Sequence, residues 1–132
     1  MLRKIITLGA IMMLIGTTAS CKPSEDVRLT LEKDKNIELY KGQTLIVELK
    51  ANPTTGYQWQ VLEEANEGVL LQKGEGEYVP YYAKPRIRGS GGTQIYRFQA
   101  LNKGDATLVF EYRRPWEEKE PARRYIVHIK IH

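Results

Sequence analysis

Reactive side chains are scarce in this sequence: its 132 residues hold one cysteine (Cys21), two histidines (His128, His132) and three serines (Ser20, Ser24, Ser90). A zinc site needs three or four Cys, His or acidic ligands in one cluster. No such cluster is visible, so neither a metal nor a cofactor is expected. A thiol nucleophile would have to be Cys21, which lies at the edge of an N-terminal leader. One cysteine also means no disulfide within the chain, so the core alone must stabilise the fold. A strong basic excess is missing as well. The formal charge is +4, but Arg3 and Lys4 belong to the leader, leaving 18 basic against 16 acidic groups from residue 21 onward. Nucleic-acid binders advertise themselves with far more, and none is expected as a partner. What remains, 42% apolar and 27% charged residues, suits one globular domain. Binding is favoured over catalysis.

The leader reads MLRKIITLGAIMMLIGTTASC. Two basic residues precede a mostly apolar run over 5–16, followed by small residues up to Cys21. That order is a secretory signal over residues 1–20, and the run is too short to span a bilayer comfortably. Cysteine directly after Thr18-Ala19-Ser20 resembles a bacterial lipobox, with Thr18 where such motifs usually carry Leu. Two readings follow: Cys21 becomes the acylated first residue of an envelope lipoprotein, or cleavage after Ser20 releases a secreted protein. Both export the chain. Residues 21–26 are polar, contain Pro23 and lack periodicity, so they read as a tether to a domain over 27–132.

Within that domain the apolar pattern has a period of two. Leu45, Val47 and Leu49 alternate with Ile46, Glu48 and Lys50. Tyr57, Trp59 and Val61 share a face, as do Tyr96, Phe98 and Ala100. Ala106, Leu108, Phe110 and Tyr112 form another inward set, and Tyr125, Val127, Ile129 and Ile131 a last one, with His128 and Lys130 outside. Such alternation marks half-buried antiparallel strands. No window makes a convincing amphipathic helix, although 63–68 has the composition for one turn. Turn residues, among them Gly74 and Gly76, separate the runs. Strands are expected over 27–31, 44–50, 57–62, 77–82, 93–101, 106–112 and 124–131. Seven to eight short strands in this length predict an all-β, immunoglobulin-like antiparallel sandwich, with a small closed barrel as the alternative.

If successive strands run up and down, the connections 51–56, 83–92 and 113–123 emerge at one end, where sandwiches commonly carry function. These are also the oddest stretches of sequence. The first contains Asn52-Pro53-Thr54-Thr55-Gly56-Tyr57, a proline-initiated turn with a glycine free to take positive φ. The second contains Gly89-Ser90-Gly91-Gly92, where bare backbone suits a tight turn or a closely apposed partner. No Gly-Lys-Ser/Thr follows, which excludes a phosphate-cradling loop. The third contains Arg114-Pro115-Trp116 before the charge run Glu117-Glu118-Lys119-Glu120. Trp116 does not fit the burying alternation; it is either an exposed anchor or a cap on the end of the sandwich.

Together, NPTTGY, GSGG and RPW in this order resemble the signature of the chagasin-type inhibitors of papain-like cysteine peptidases. The resemblance spans essentially the whole mature domain, and three motifs in order are far more specific than any one. It implies a monomeric, non-enzymatic protein that plugs a peptidase cleft reversibly and without a covalent bond. Thr54 and Thr55 would sit nearest the enzyme's catalytic cysteine and histidine. The 89–92 loop would lie along the non-primed side, and Trp116 would pack on the primed side with Arg114 and Pro115 setting its pose. Lys84, Arg86, Arg88, Arg113, Arg114, Arg123 and Arg124 flank the same loops, as steering charges or simply as solvated surface. Two rival readings come from the residues themselves. Glu63/Glu64, Glu75/Glu77 and Glu117/Glu118 are the only paired carboxylates offered for catalysis. Trp59, Tyr81 and Tyr82 would be the sugar platform of an envelope-anchored adhesion or carbohydrate-binding module.

Overall fold

The computed structural model describes residues 25–64, 66, 68–81 and 91–132. The leader, Cys21 and most of the tether lie outside the described residues, as do Tyr82, Lys84, Arg86, Arg88, Gly89 and Ser90.

Eight strands form: β1 (Val27–Thr30), β2 (Lys35–Leu39), β3 (Thr44–Ala51), β4 (Gln58–Glu64), β5 (Leu70–Pro80), β6 (Gly92–Ala100), β7 (Gly104–Arg113) and β8 (Arg123–Ile131). They make two four-stranded sheets, in the orders β1-β3-β6-β5 and β2-β8-β7-β4. Their inward faces carry the alternating residues read from the sequence. Phe98 of one sheet meets Phe110 of the other edge-on, 6.1 Å between centroids. Around them Leu45, Val47, Leu49, Leu108 and Val127 are fully buried. Each such side chain contributes roughly 1.5–3 kcal/mol relative to exposure. Two polar bonds also cross between the sheets. Trp59 Nε1 donates to the Lys50 carbonyl at 2.9 Å, and the Tyr96 hydroxyl donates to the Trp59 carbonyl at 3.1 Å.

Four features depart from expectation. The sheets are mixed rather than purely antiparallel, because β1 pairs in parallel with β3 and β2 in parallel with β8. The chain crosses from one sheet to the other between β1 and β2, and this crossing adds a strand that the apolar alternation does not reveal. Leu31 anchors the crossing, buried and with its N–H bonded to the Glu48 carbonyl, while Asp34 accepts from the Ile126 N–H at 2.7 Å. Strand β5 begins at Leu70, not residue 77, since Gly74 and Gly76 form a bulge inside it rather than a turn before it. Residues 63–64 extend β4 instead of starting a helical turn. Asn66 then clasps Thr107, donating to its carbonyl at 2.7 Å and accepting from its N–H at 2.9 Å. Finally, Ile46 and Val109 point away from the core yet are buried. In register, Ile46 sits between Arg28 and Arg97, whose aliphatic stems suit covering it.

Register settles which loops share an end. Ala51 closes β3 opposite Gly92, and Gly92 pairs with Pro80. Gln58 opens β4 opposite Arg113, and Tyr112 pairs with Arg123. The β3–β4, β5–β6 and β7–β8 connections therefore all leave the same edge of the sandwich.

Candidate functional site

The β3–β4 loop is one turn of 3-10 helix, Pro53–Thr55, capped at both ends by its own sequence. Proline at the first position presets φ and needs no N–H donor there. The Asn52 side chain accepts from the Thr54 N–H at 3.3 Å and from the Thr54 hydroxyl at 2.5 Å. The Thr55 hydroxyl donates to the Asn52 carbonyl at 2.7 Å. Both threonine hydroxyl protons are thus used inside the loop, so the exposed tip has little rotamer freedom left to lose on docking. Gly56 ends the turn at φ +81°, the left-handed region that suits glycine. The whole turn is tied to the scaffold by Asn52, whose N–H donates to the Tyr112 hydroxyl at 3.0 Å.

The β7–β8 loop is locked onto the first. Arg114 Nε donates to the Thr55 carbonyl at 3.1 Å, its guanidinium lies 4.6 Å from the Tyr57 ring centroid, and Nη1 pairs with Glu117 at 3.2 Å. Beneath it runs an aromatic stack. Tyr57 lies on Tyr112 at 5.2 Å, Trp59 follows at 4.8 Å from Tyr112, and Tyr125 at 5.6 Å from Trp59. Trp116 is 68% exposed, which decides between anchor and cap in favour of an exposed ring. Its inner edge nonetheless rests on the first loop: a Cβ on Gly56 would come 2.5 Å from Trp116 Cη2. Gly56 therefore meets two demands, the backbone angle and room for the indole.

Of the β5–β6 loop, the described residues form the base. Gly91 and Gly92 are buried there. The Tyr81 N–H bonds the Gly91 carbonyl at 3.2 Å, and Gly91 has φ +76° with the Ala51 carbonyl 3.0 Å from where a Cβ would stand. A Cβ on Gly92 would collide with the Val79 carbonyl. The glycine requirement at these two positions arises inside the protein, from packing the hairpin against the end of β3. Among the described residues of this hairpin, the large apolar side chains exposed near its base are Tyr78, Val79 and Tyr81, at 37%, 40% and 52%. Sequence alternation did not single out Tyr78 or Val79, since edge-strand exposure has no local signature. Alternation places Tyr112 on the core face, and its second role, holding Asn52, depends on a contact 60 residues away.

Several of the described charges at this edge pair with one another. Arg113 pairs with the buried Glu111 at 2.7 Å, with Arg124 3.9 Å from the same carboxylate. Lys50 pairs with Glu32 at 2.9 Å. The Lys50 hydrogen bond holds the Glu32 carboxyl below its usual range, and reciprocally the Glu32 bond raises Lys50. Of the carboxylates offered for catalysis, Glu117 is engaged by Arg114 and Glu77 by Arg97. Trp59, offered as a sugar platform, is 7% exposed and belongs to the core. Among the described residues no group of three or more His, Cys, Asp or Glu side chains is arranged to hold a metal ion.

Known proteins resemble this chain in sequence and fold. The sequence pattern of the chagasin family peptidase inhibitor I42 matches residues 38–131. Amoebiasin-1 of Entamoeba histolytica is 31% identical over 106 residues, spanning 78% of this chain and 99% of its own length. Chagasin of Trypanosoma cruzi is 29% identical over 94 residues, 67% of this chain and 82% of that protein. The solved structure of EhICP2, a cysteine protease inhibitor of E. histolytica, superposes with a TM-score of 0.66 at 21% identity, covering 81% of this chain and 95% of that one. That likeness establishes the immunoglobulin-like sandwich. With its pattern matched across nearly all of the folded domain, this chain belongs to the chagasin family of peptidase inhibitors.

Proposed function

We propose that this protein inhibits papain-like cysteine peptidases, reversibly and without a covalent bond, by seating the β3–β4, β5–β6 and β7–β8 connections across the active-site cleft. The observation that carries this reading is the joining of the first and third loops into one rigid edge. Arg114 bridges them, and an exposed indole stands beside the Pro53–Thr55 turn. Asn52, Pro53, Thr54, Thr55, Gly56 and Tyr57 form the central tip in this reading, Arg114, Pro115 and Trp116 one flank, and Gly89, Ser90, Gly91 and Gly92 the other. Gly91 and Gly92 act from below, by setting the hairpin base. Tyr78, Val79 and Tyr81 add apolar surface on the same side.

The physical chemistry favours a tight, non-reacting complex. An interface of the usual protease–inhibitor size buries roughly 800 Å² per partner. Affinity then depends on how little is lost on ordering the loops. Here the tip is already ordered by proline, by the Asn52 cap and by the Arg114 bridge. A one-turn helix also keeps its carbonyls folded back: the Asn52 and Pro53 oxygens accept from Thr55 and Gly56 N–H groups at 3.2 and 3.0 Å. Such carbonyls are not presented as an extended scissile bond in near-attack geometry. The N-terminal pattern supports export, with Cys21 as the acylated residue of an envelope lipoprotein.

Titration against papain tests the reading. Trp116→Ala should raise the inhibition constant roughly 30-fold or more, with little change in melting temperature because the ring is mostly exposed. An unchanged constant removes Trp116 from the interface, and absence of inhibition by the wild type refutes the function. Intact-mass measurement after prolonged incubation should show no cleavage at Thr54 or Thr55.

A further inference from the structure

On the flank below the inhibitory edge lies the side of the sandwich where β4 ends one sheet and β5 ends the other. A groove of ≈ 330 Å³ lies there, walled by Tyr57, Trp59, Tyr78 and Tyr96. The amides of Gln58 and Gln94 line it too, and among the described residues the one charged group on its surface is Glu75.

The carboxylate is there because of the bulge. Strict alternation would place Glu75 on the outer face of β5 with Lys73 and Glu77. Lys73 pairs with Arg97 and Glu77 with Ile95, so Gly74, Glu75 and Gly76 together oppose the single residue Tyr96. Both glycines have positive φ, +75° and +93°. Gly76 lies so close to the groove wall that a Cβ would come 2.7 Å from Tyr96 Cε1 and 2.8 Å from Gln94 Nε2. A bulge of this kind re-aims a side chain, and here it delivers Glu75 to the groove while Glu77 stays outside, paired with Arg97 at 3.4 Å. Among the described residues Glu75 has no hydrogen bond or ion pair.

We infer that this groove receives one basic side chain, lysine or arginine, from the rim of the peptidase held by the loops. Aromatic walls suit the aliphatic stem and the cation, amide oxygens can accept from its head, and Glu75 supplies the complementary charge. The occupant belongs to the peptidase because the two sites are continuous: Pro53 and Tyr57 are residues of the first loop and walls of the groove at once. A body seated on the first loop therefore lies beside the groove. This inference rests on the reading in Proposed function, and adds to it a contact that would sort one peptidase from another by its surface charge.

The test compares full-chain wild type, Glu75→Gln and Glu75→Lys as inhibitors of a panel of papain-like peptidases, papain among them, at low and high salt. The expected result is a rise in inhibition constant of about 3-fold for Gln and about 10-fold or more for Lys against at least one peptidase, narrowing at high salt. Equal inhibition by all three proteins across a panel that the wild type does inhibit overturns the inference and leaves the loop reading standing. A wild type that inhibits none of them overturns the loop reading instead. If Glu75→Lys melts markedly lower, the Gln variant decides alone. Free arginine that perturbs Tyr78 while both variants inhibit normally overturns the peptidase as occupant.

Discussion

Substituting Gly56 by alanine separates the two demands placed on that position. At φ +81° an L-residue with a Cβ costs roughly 1–2 kcal/mol more than glycine. For a domain of this size that lowers the melting temperature by about 4 °C or more. Gly42 provides the control, because it has φ +93° and nothing lies within 4 Å of where its Cβ would stand. Gly42→Ala therefore carries the same backbone penalty with no clash, at the opposite end of the sandwich. Gly56→Ala must additionally move the Trp116 ring, since 2.5 Å to Cη2 is far inside contact distance. Both variants should lose similar stability, yet only Gly56→Ala should weaken inhibition of papain, by about 10-fold or more if the indole is an anchor. In a Trp116→Ala background most of that extra loss should vanish, because the ring that clashes is gone. Thermal unfolding and inhibition constants for the wild type, the three single variants and the Gly56→Ala/Trp116→Ala double variant make the measurement. Equal inhibition by Gly56→Ala and Gly42→Ala would refute the argument that the first loop positions the indole.

Tyr112→Phe removes the hydroxyl that accepts from the Asn52 N–H while keeping the stack with Tyr57 and Trp59. It should cost about 0.5–1.5 kcal/mol of stability and weaken inhibition roughly 3-fold, read by denaturant titration and enzyme assay; no change in either would show that the bond does not hold the loop. For the N-terminus, intact-mass analysis of the protein from a bacterial host should find a chain starting at Cys21 and heavier by acyl groups, and Cys21→Ser should abolish the added mass. An unprocessed chain retained in the cytoplasm is the contrary result.

Much of the site was legible because it is local chemistry. Asn-Pro before a Thr-Thr-Gly run spells a capped turn in any context, and proline beside a charge run argues against burial of Trp116. The common end of the three loops followed from alternation alone. It survived the missed strand β2, since that strand precedes β3 and shifts no later direction. Strand β2 itself offers only Ile37 and Leu39 as inward apolar residues among Lys35, Asn36 and Glu38. That is too weak a signal without its parallel partner β8.

The amino-acid order by itself determined the strands that make up most of each sheet, the all-β class, the three motif loops and their shared edge, because alternation, turn residues and caps act over a few positions. Only the tertiary structure decided the sheet crossing that makes each sheet mixed, the Arg114 bridge to Thr55, the seat of the indole on Gly56, and the bulge that turns Glu75 into the groove. Those depend on distances between residues far apart in the chain, and such distances exist only once the two sheets have packed.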